Sequence, residues 1–176
     1  LYPAAPIMGS RERTLRRGDL VFVDVGFGLE GYHTDKTIVF SFAAPQPSEV
    51  LAPHRQCLDL ERKMASMLKP GAIPAQIYAT ILRDMDEKSR ENFMGCGNRR
   101  VQFLGHGVGL VVDEYPVIAE GFDDPIVEGM VLALEPKKGL PGIGMVGSEN
   151  TYLVTPEGGK CLTGGCMDLI VAPNSH

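Results

Sequence analysis

Leu20-Val21-Phe22-Val23 and Val25 form a β-prone run interrupted by Asp24. A second run extends from Tyr32 to Phe42, centred on Thr37-Ile38-Val39-Phe40. Gly26, Gly28 and Gly31 punctuate the short connection, and two such runs so joined predict a hairpin. Pro45 and Pro47 end this β segment. Ser48 then reads as a helix N-cap with Glu49 behind it and Pro53 in the first turn. Leu51, Leu58, Met64, Met67 and Leu68 recur at roughly helical spacing until Lys69-Pro70-Gly71 stops the helix. Pro74 opens a second helix with Ile77, Tyr78, Ile81, Leu82 and Met85 on one face, fading in the charged stretch Asp84 to Glu91. The rest returns to β character. Val101 to Leu104, Val117-Ile118, Val131 to Glu135 and Asn150 to Thr155 are strands; Gly139 to Gly147 and Pro156 to Gly159 are reversals. Cys161-Leu162 and Leu169-Ile170-Val171 are expected to close the sheet, and residues 1–18 to be a loop or irregular strand. The order of hairpin, helix pair and hairpins predicts an α+β domain over residues 1–176, with helices on one face of an antiparallel sheet.

Composition narrows the class. With 44% hydrophobic and 22% charged residues the chain is an ordinary globular sequence, so disordered and fibrous classes drop out. A net charge of -5 argues against a nucleic-acid partner. The basic group Arg11, Arg13, Arg16 and Arg17 reads as a solvated loop. No apolar run approaches the roughly 18 residues of a membrane span. Cys57, Cys96, Cys161 and Cys166 form no CxxC pair, which suggests reduced thiols in a cytoplasmic protein. The chain starts at Leu1 rather than Met, and a fragment truncated at its N-terminus is expected.

Carboxylates within strands are the informative oddity. Asp24 sits among Val and Phe, and Asp35 opens the returning strand. A hairpin would bring the two together, and adjacent buried carboxylates need a cation or shared protons. Glu135 ends an apolar strand before Pro136, and Glu149 precedes Asn150-Thr151-Tyr152. His106 stands between Gly105 and Gly107, which leave room for an imidazole and allow close backbone approach. Singly, each has a plain reading as a turn cap, a satisfied histidine or an exposed glutamate. Together, four carboxylates and one imidazole form a hard donor set suited to divalent first-row metals.

Val23-Asp24-Val25-Gly26 and Gly31-Tyr32-His33-Thr34-Asp35 resemble the paired-aspartate hairpin of the pita-bread metallopeptidases, the methionine aminopeptidase and Xaa-Pro dipeptidase family, including its eleven-residue separation. Gly105-His106-Gly107-Val108-Gly109, Leu134-Glu135-Pro136, and Gly147-Ser148-Glu149-Asn150-Thr151 are similar to the family's remaining motifs, in the same order. The resemblance covers nearly the whole chain and implies the pita-bread fold. It also implies two divalent ions (Mn, Co, Fe or Zn) held by Asp24, Asp35, His106, Glu135 and Glu149. In that scheme Asp24 binds one ion and His106 the other, and Asp35 and Glu149 bridge them. Glu135 is a terminal ligand able to accept the proton of the attacking water. Paired ions of this kind stand roughly 3.5–4 Å apart.

Two departures bear on the surrounding shell. The family's second histidine is replaced by Asp113 in Asp113-Glu114-Tyr115-Pro116, and an upstream histidine by Ile7. Asp113 is therefore a catalytic candidate of altered kind: protonated, binding a substrate ammonium, or marking weakened activity. Arginines of the prolidase type are expected where Ile38 and Gly147 stand. The family's first helix pair would precede Leu1, so an apolar face and homodimer formation are expected. The leading functional expectation is a two-metal peptide hydrolase acting on peptides or dipeptides. The alternatives are a non-catalytic pita-bread binding module and a small-molecule amidohydrolase.

Overall fold

A computed structural model describes residues 12–165 and 167–173. Strands β1 (Leu20–Leu29) and β2 (Tyr32–Phe42) form the expected hairpin, in register from Leu20↔Ser41 to Leu29↔Tyr32. The turn is Glu30-Gly31, with φ of 51° and 87°. Two left-handed residues in a two-residue loop match the right-handed twist of the strands. Gly26 and Gly28 do not belong to the turn, as the sequence reading had it, but lie within β1.

Helices α1 (Ser48–Met67) and α2 (Pro74–Arg83) follow, then the short α3 (Glu87–Arg90). Pro47, not Ser48, occupies the N-cap of α1, without a side-chain cap. Pro53 lies beyond the first turn, not in it, and deprives the Glu49 carbonyl of its helical donor. That carbonyl belongs to an exposed residue near the helix start, where water can replace the donor. The buried stripe of α1 is Val50, His54, Cys57, Leu58, Glu61, Met64 and Ala65. It is continuous at helical spacing only when two polar residues, His54 and Glu61, are counted within it.

Ten shorter strands follow among the described residues: β3 (Gly95–Cys96), β4 (Arg99–Arg100), β5 (Phe103–Gly107), β6 (Glu114–Ala119), β7 (Val131–Leu134), β8 (Lys137–Leu140), β9 (Gly144–Gly147), β10 (Asn150–Thr155), β11 (Gly158–Cys161) and β12 (Ile170–Ala172). A five-stranded antiparallel sheet has the order β11-β10-β7-β5-β6, and a three-stranded one the order β1-β2-β12. β12 joins β2 in parallel, so this sheet is not purely antiparallel as expected. α1 packs across β7, β8, β9 and β11, and α2 against β6. Met64, Leu68, Ile77, Ile81, Leu104 and Leu132 fill the space between helices and sheet. The two sheets meet where Thr37 of β2 pairs with Glu149, immediately before β10. The far end of the hairpin is apolar and exposed: Val25 49%, Phe27 63%, Leu29 67% and Tyr32 66%.

Candidate metal centre

The seam between the sheets brings four of the five sequence-selected residues together: Asp35, His106, Glu135 and Glu149. Thr37 and Glu149 exchange backbone hydrogen bonds of 3.2 and 3.3 Å. The Thr151 hydroxyl accepts from the Asp35 N–H at 2.9 Å and donates to the Asp35 carbonyl at 2.8 Å. These contacts fix Asp35 on β2 against Glu149, more than a hundred residues later. Thr37 Oγ1 also donates to Glu149 Oε2 at 2.8 Å, which orients that carboxylate. His106 lies on β5 opposite Ala133 of β7. Glu135 follows β7 directly, its N–H bonded to the Leu104 carbonyl at 3.0 Å. A Cβ at Gly105 would stand 2.3 Å from the Ala133 carbonyl oxygen, so only glycine lets β5 and β7 approach closely enough to aim His106 inward.

Asp35, His106, Glu135 and Glu149 are buried. His106 Nε2 lies 3.9 Å from Asp35 Oδ2, 3.3 Å from Glu135 Oε1 and 3.8 Å from Glu149 Oε1. Asp35, His106 and Glu149 each offer an atom within 4.8 Å of the others. Ligand atoms about 2.1 Å from one ion can be no more than ~4.2 Å apart. The two distances from His106 to Asp35 and Glu149 meet that condition, which makes the three residues candidate ligands of a divalent cation. His106 Nδ1 stands 3.1 Å from the Gly107 carbonyl oxygen. A carbonyl only accepts, so Nδ1 carries the proton and Nε2 is left to ligate.

The electrostatics are those of a cation site. Burial, then the nearby Asp24, push the Asp35 carboxyl up to about 7. Burial, then Glu135, raise Glu149 well above the usual carboxylate range. Burial disfavours a charged His106, but the Glu135 contact outweighs it and lifts the imidazole to about 9. Burial would likewise raise Glu135, yet its contacts with His106 and Lys137 hold it low.

Asp24 stands slightly apart. Its neighbour across the hairpin is Thr37 and that of Asp35 is Gly26, so the two aspartates are diagonal rather than side by side. The Asp24 side chain is 48% exposed. Asp113 is at the mouth, its side chain 79% exposed and Oδ1 3.2 Å from His106 Nε2. Ile7 lies outside the described residues.

Sequence reasoning missed Lys137. This residue is only 4% exposed and its ammonium sits among the carboxylates, 2.6 Å from Glu135 Oε2, 3.7 Å from Asp24 Oδ2 and 4.0 Å from Glu149 Oε2. Burial works against its charge, but Glu135 and Glu149 more than compensate, and it is held as an ammonium. Its neighbour Lys138 points the other way, to the Lys88 and Ser89 carbonyls. Strand alternation implies one inward lysine of the pair, which was the available signal.

Gly147, opposite Lys137 in the β8–β9 hairpin, has φ of 147°. A Cβ there would meet the Pro136 carbonyl oxygen at 2.5 Å. The position where an arginine was expected is therefore closed to any side chain. Gly147→Ala is expected to destabilise the protein by about 2–4 kcal/mol, combining backbone strain and collision. A melting temperature within a degree of the parent would contradict this.

A second missed group supports the site from behind. Glu61 on α1 is fully buried, and its Oε1 accepts from Asn150 Nδ2 at 2.7 Å and Tyr152 OH at 2.8 Å. Asn150 Oδ1 in turn accepts from Lys36 Nζ at 2.6 Å. Asn150 adjoins Glu149 and Lys36 adjoins Asp35, so the network holds the backbones of both candidate ligands. The gap-free helical stripe through Glu61 was its sequence signal.

The chain has clear relatives among known proteins. A profile described as metallopeptidase family M24 matches residues 3–156. The chain is 35% identical over 158 residues to a putative dipeptidase, YkvY, of Bacillus subtilis, covering 90% of this chain and 42% of that protein. It is 33% identical over 169 residues to an Xaa-Pro dipeptidase of Pyrococcus horikoshii, covering 95% and 46%. The crystal structure of dipeptidase PepE from Mycobacterium ulcerans superposes with a TM-score of 0.80 at 31% identity, covering 98% of this chain and 46% of that one. The chain thus spans less than half the length of these relatives.

Proposed function

The chain belongs to metallopeptidase family M24 and has its pita-bread fold, and on that premise we propose that it is the catalytic part of a divalent-metal-dependent peptide hydrolase acting on dipeptides or short peptides. The observation that carries this reading is the convergence of Asp35, His106 and Glu149 within 4.8 Å, with Glu135 beside them. A non-catalytic module has no use for so costly a cluster of buried carboxylates. The dipeptidase and Xaa-Pro dipeptidase names of the relatives support the substrate class.

A divalent ion supplies Lewis-acid polarisation of the scissile carbonyl and an acidified water. Within the chain, Asp35, His106 and Glu149 would hold the ion, with His106 oriented by the Gly107 carbonyl. Glu135, kept ionised by its partners, would accept the water's proton. Asp113 would anchor the substrate's terminal ammonium at the exposed mouth, in place of a hydrogen-bond donor. In the sequence-derived expectation of two ions Asp24 binds the ion not held by His106, and there the structure adds the Lys137 ammonium.

The test is turnover of a dipeptide panel by the purified full-length protein, before and after chelation and on re-addition of Mn or Co. Activity lost and then restored is expected; chelator-insensitive turnover or none with any metal would sink the proposal. Asp113→Ala is expected to raise KM for free dipeptides by ~10-fold or more while leaving N-acylated peptides little changed, as loss of an ionic anchor requires. Equal effects on both substrate classes would remove Asp113 from that role.

Among the described residues no helix is long and apolar enough to cross a membrane. Cys57, Cys96 and Cys161 are free thiols, which supports the cytoplasmic reading. The exposed Val25, Phe27, Leu29 and Tyr32 support a homodimer, which light scattering tests directly.

A further inference from the structure

Lys137 puts a buried cation among the candidate ligands. Resting on the hydrolase reading above, we infer that the centre takes one divalent ion, on the His106 side, and that the Lys137 ammonium is the resident cation on the Asp24 side.

Three observations converge. The donor group that fits an ion is Asp35, His106 and Glu149, and it does not include Asp24. Asp24 instead has Lys137 Nζ 3.7 Å from its Oδ2. Lys137 also reaches Glu149 Oε2 at 4.0 Å, whereas Glu149 Oε1 is the oxygen that faces His106 at 3.8 Å. The two oxygens of Glu149 thus look toward different cations, one an ion at His106 and one the ammonium. Glu135 divides its oxygens in the same way, Oε1 to His106 at 3.3 Å and Oε2 to Lys137 at 2.6 Å. A carboxylate that bridges two ions in a two-metal site here bridges one ion and one ammonium.

The lysine is built into this position. It is 4% exposed, and its ammonium lies 5.8 Å from the centre of the Phe22 ring, on the same face of β1 as Asp24. Across the hairpin its partner is Gly147, whose backbone has no room for a side chain. A second dication bound to Asp24 and Glu149 would lie against the fixed ammonium, and like charges at such range in a buried site repel strongly. The charge count agrees. Asp24, Asp35, Glu135 and Glu149 carry four formal negative charges. Lys137 and one dication leave one of them uncompensated, a residual charge suited to a substrate ammonium.

The test is metal stoichiometry of the full-length protein, read by elemental analysis after dialysis against Mn2+, together with electron paramagnetic resonance. One ion per chain and the signal of isolated Mn2+ are expected. Lys137→Ala, which vacates the Asp24 side, is expected to take up two ions and to show the spectrum of an exchange-coupled pair. Two ions in the parent would overturn the inference, and would leave the hydrolase reading intact if dipeptides are still cleaved. A folded Lys137→Ala variant that still holds one ion would also overturn it. If that variant does not fold, the stoichiometry and resonance of the parent decide. No bound ion in the parent would overturn both the inference and the hydrolase reading.

Discussion

Replacing His106 with alanine is expected to lower kcat/KM for a dipeptide by on the order of 10³-fold or more at a fixed metal concentration. His106 is the one neutral donor among the five sequence-selected ligands, and its Nε2 is within 4 Å of Asp35, Glu135 and Glu149. Without it, three buried carboxylates surround the ion position with no imidazole to complete its shell or to fix its place. The two effects expected are weaker metal binding and a slower chemical step at saturating metal. Alanine fits the β5 position, so circular dichroism of the variant should match the parent. A variant retaining more than a tenth of the parental kcat/KM would remove His106 from the centre. The contrast with Asp113→Ala is diagnostic, since loss at the exposed mouth is expected in KM and loss at His106 in both parameters.

Glu61→Ala is expected to destabilise the protein by about 3 kcal/mol, because Asn150 Nδ2 and Tyr152 OH both lose a buried carboxylate acceptor. In a chain of this size that corresponds to a fall of roughly 6–12 °C in melting temperature. Because Asn150 is joined to Glu149, metal affinity should fall ~10–100-fold as well, the usual consequence of losing support behind a ligand. Glu61→Gln separates the two roles of the side chain. Both hydrogen bonds converge on Oε1, while Oε2 is buried with no hydrogen-bond partner among the described residues. An amide keeps the accepting oxygen, so Gln should stay within ~1 kcal/mol of the parent and retain metal affinity. If Gln proves as damaging as Ala, the negative charge rather than the hydrogen bonds holds this region, and the network account fails.

Much of the molecule could be read in order along the chain. The β1–β2 hairpin, the two helices and the β-rich remainder follow from alternation, helical spacing and proline–glycine punctuation, which act over a few residues. The same local logic singled out the candidate ligands, because a carboxylate inside an apolar strand is costly wherever that strand folds. It erred at details that local pattern leaves open. Gly26 and Gly28 looked like turn residues but serve β1, and Ser48 looked like a cap where Pro47 stands.

The sequence alone determined the α+β order of elements and singled out Asp24, Asp35, His106, Glu135 and Glu149 as candidate ligands, with Asp113 as a departure from the pattern they resemble. Only the tertiary structure decided what those ligands face. Lys137 and Lys138 are indistinguishable as neighbours in sequence; the pairing of β8 with β9 and the arrival of β1 make one a buried counter-cation and leave the other on backbone carbonyls. Glu61 meets Asn150 across 89 positions, and Thr151 clamps Asp35 across 116. The charge balance of a buried site is a sum over all groups within a few ångströms, and proximity of that kind is created by the sheets meeting. That is why the candidate ligands were legible from the chain, while the lysine that stands among them was brought there only by the fold.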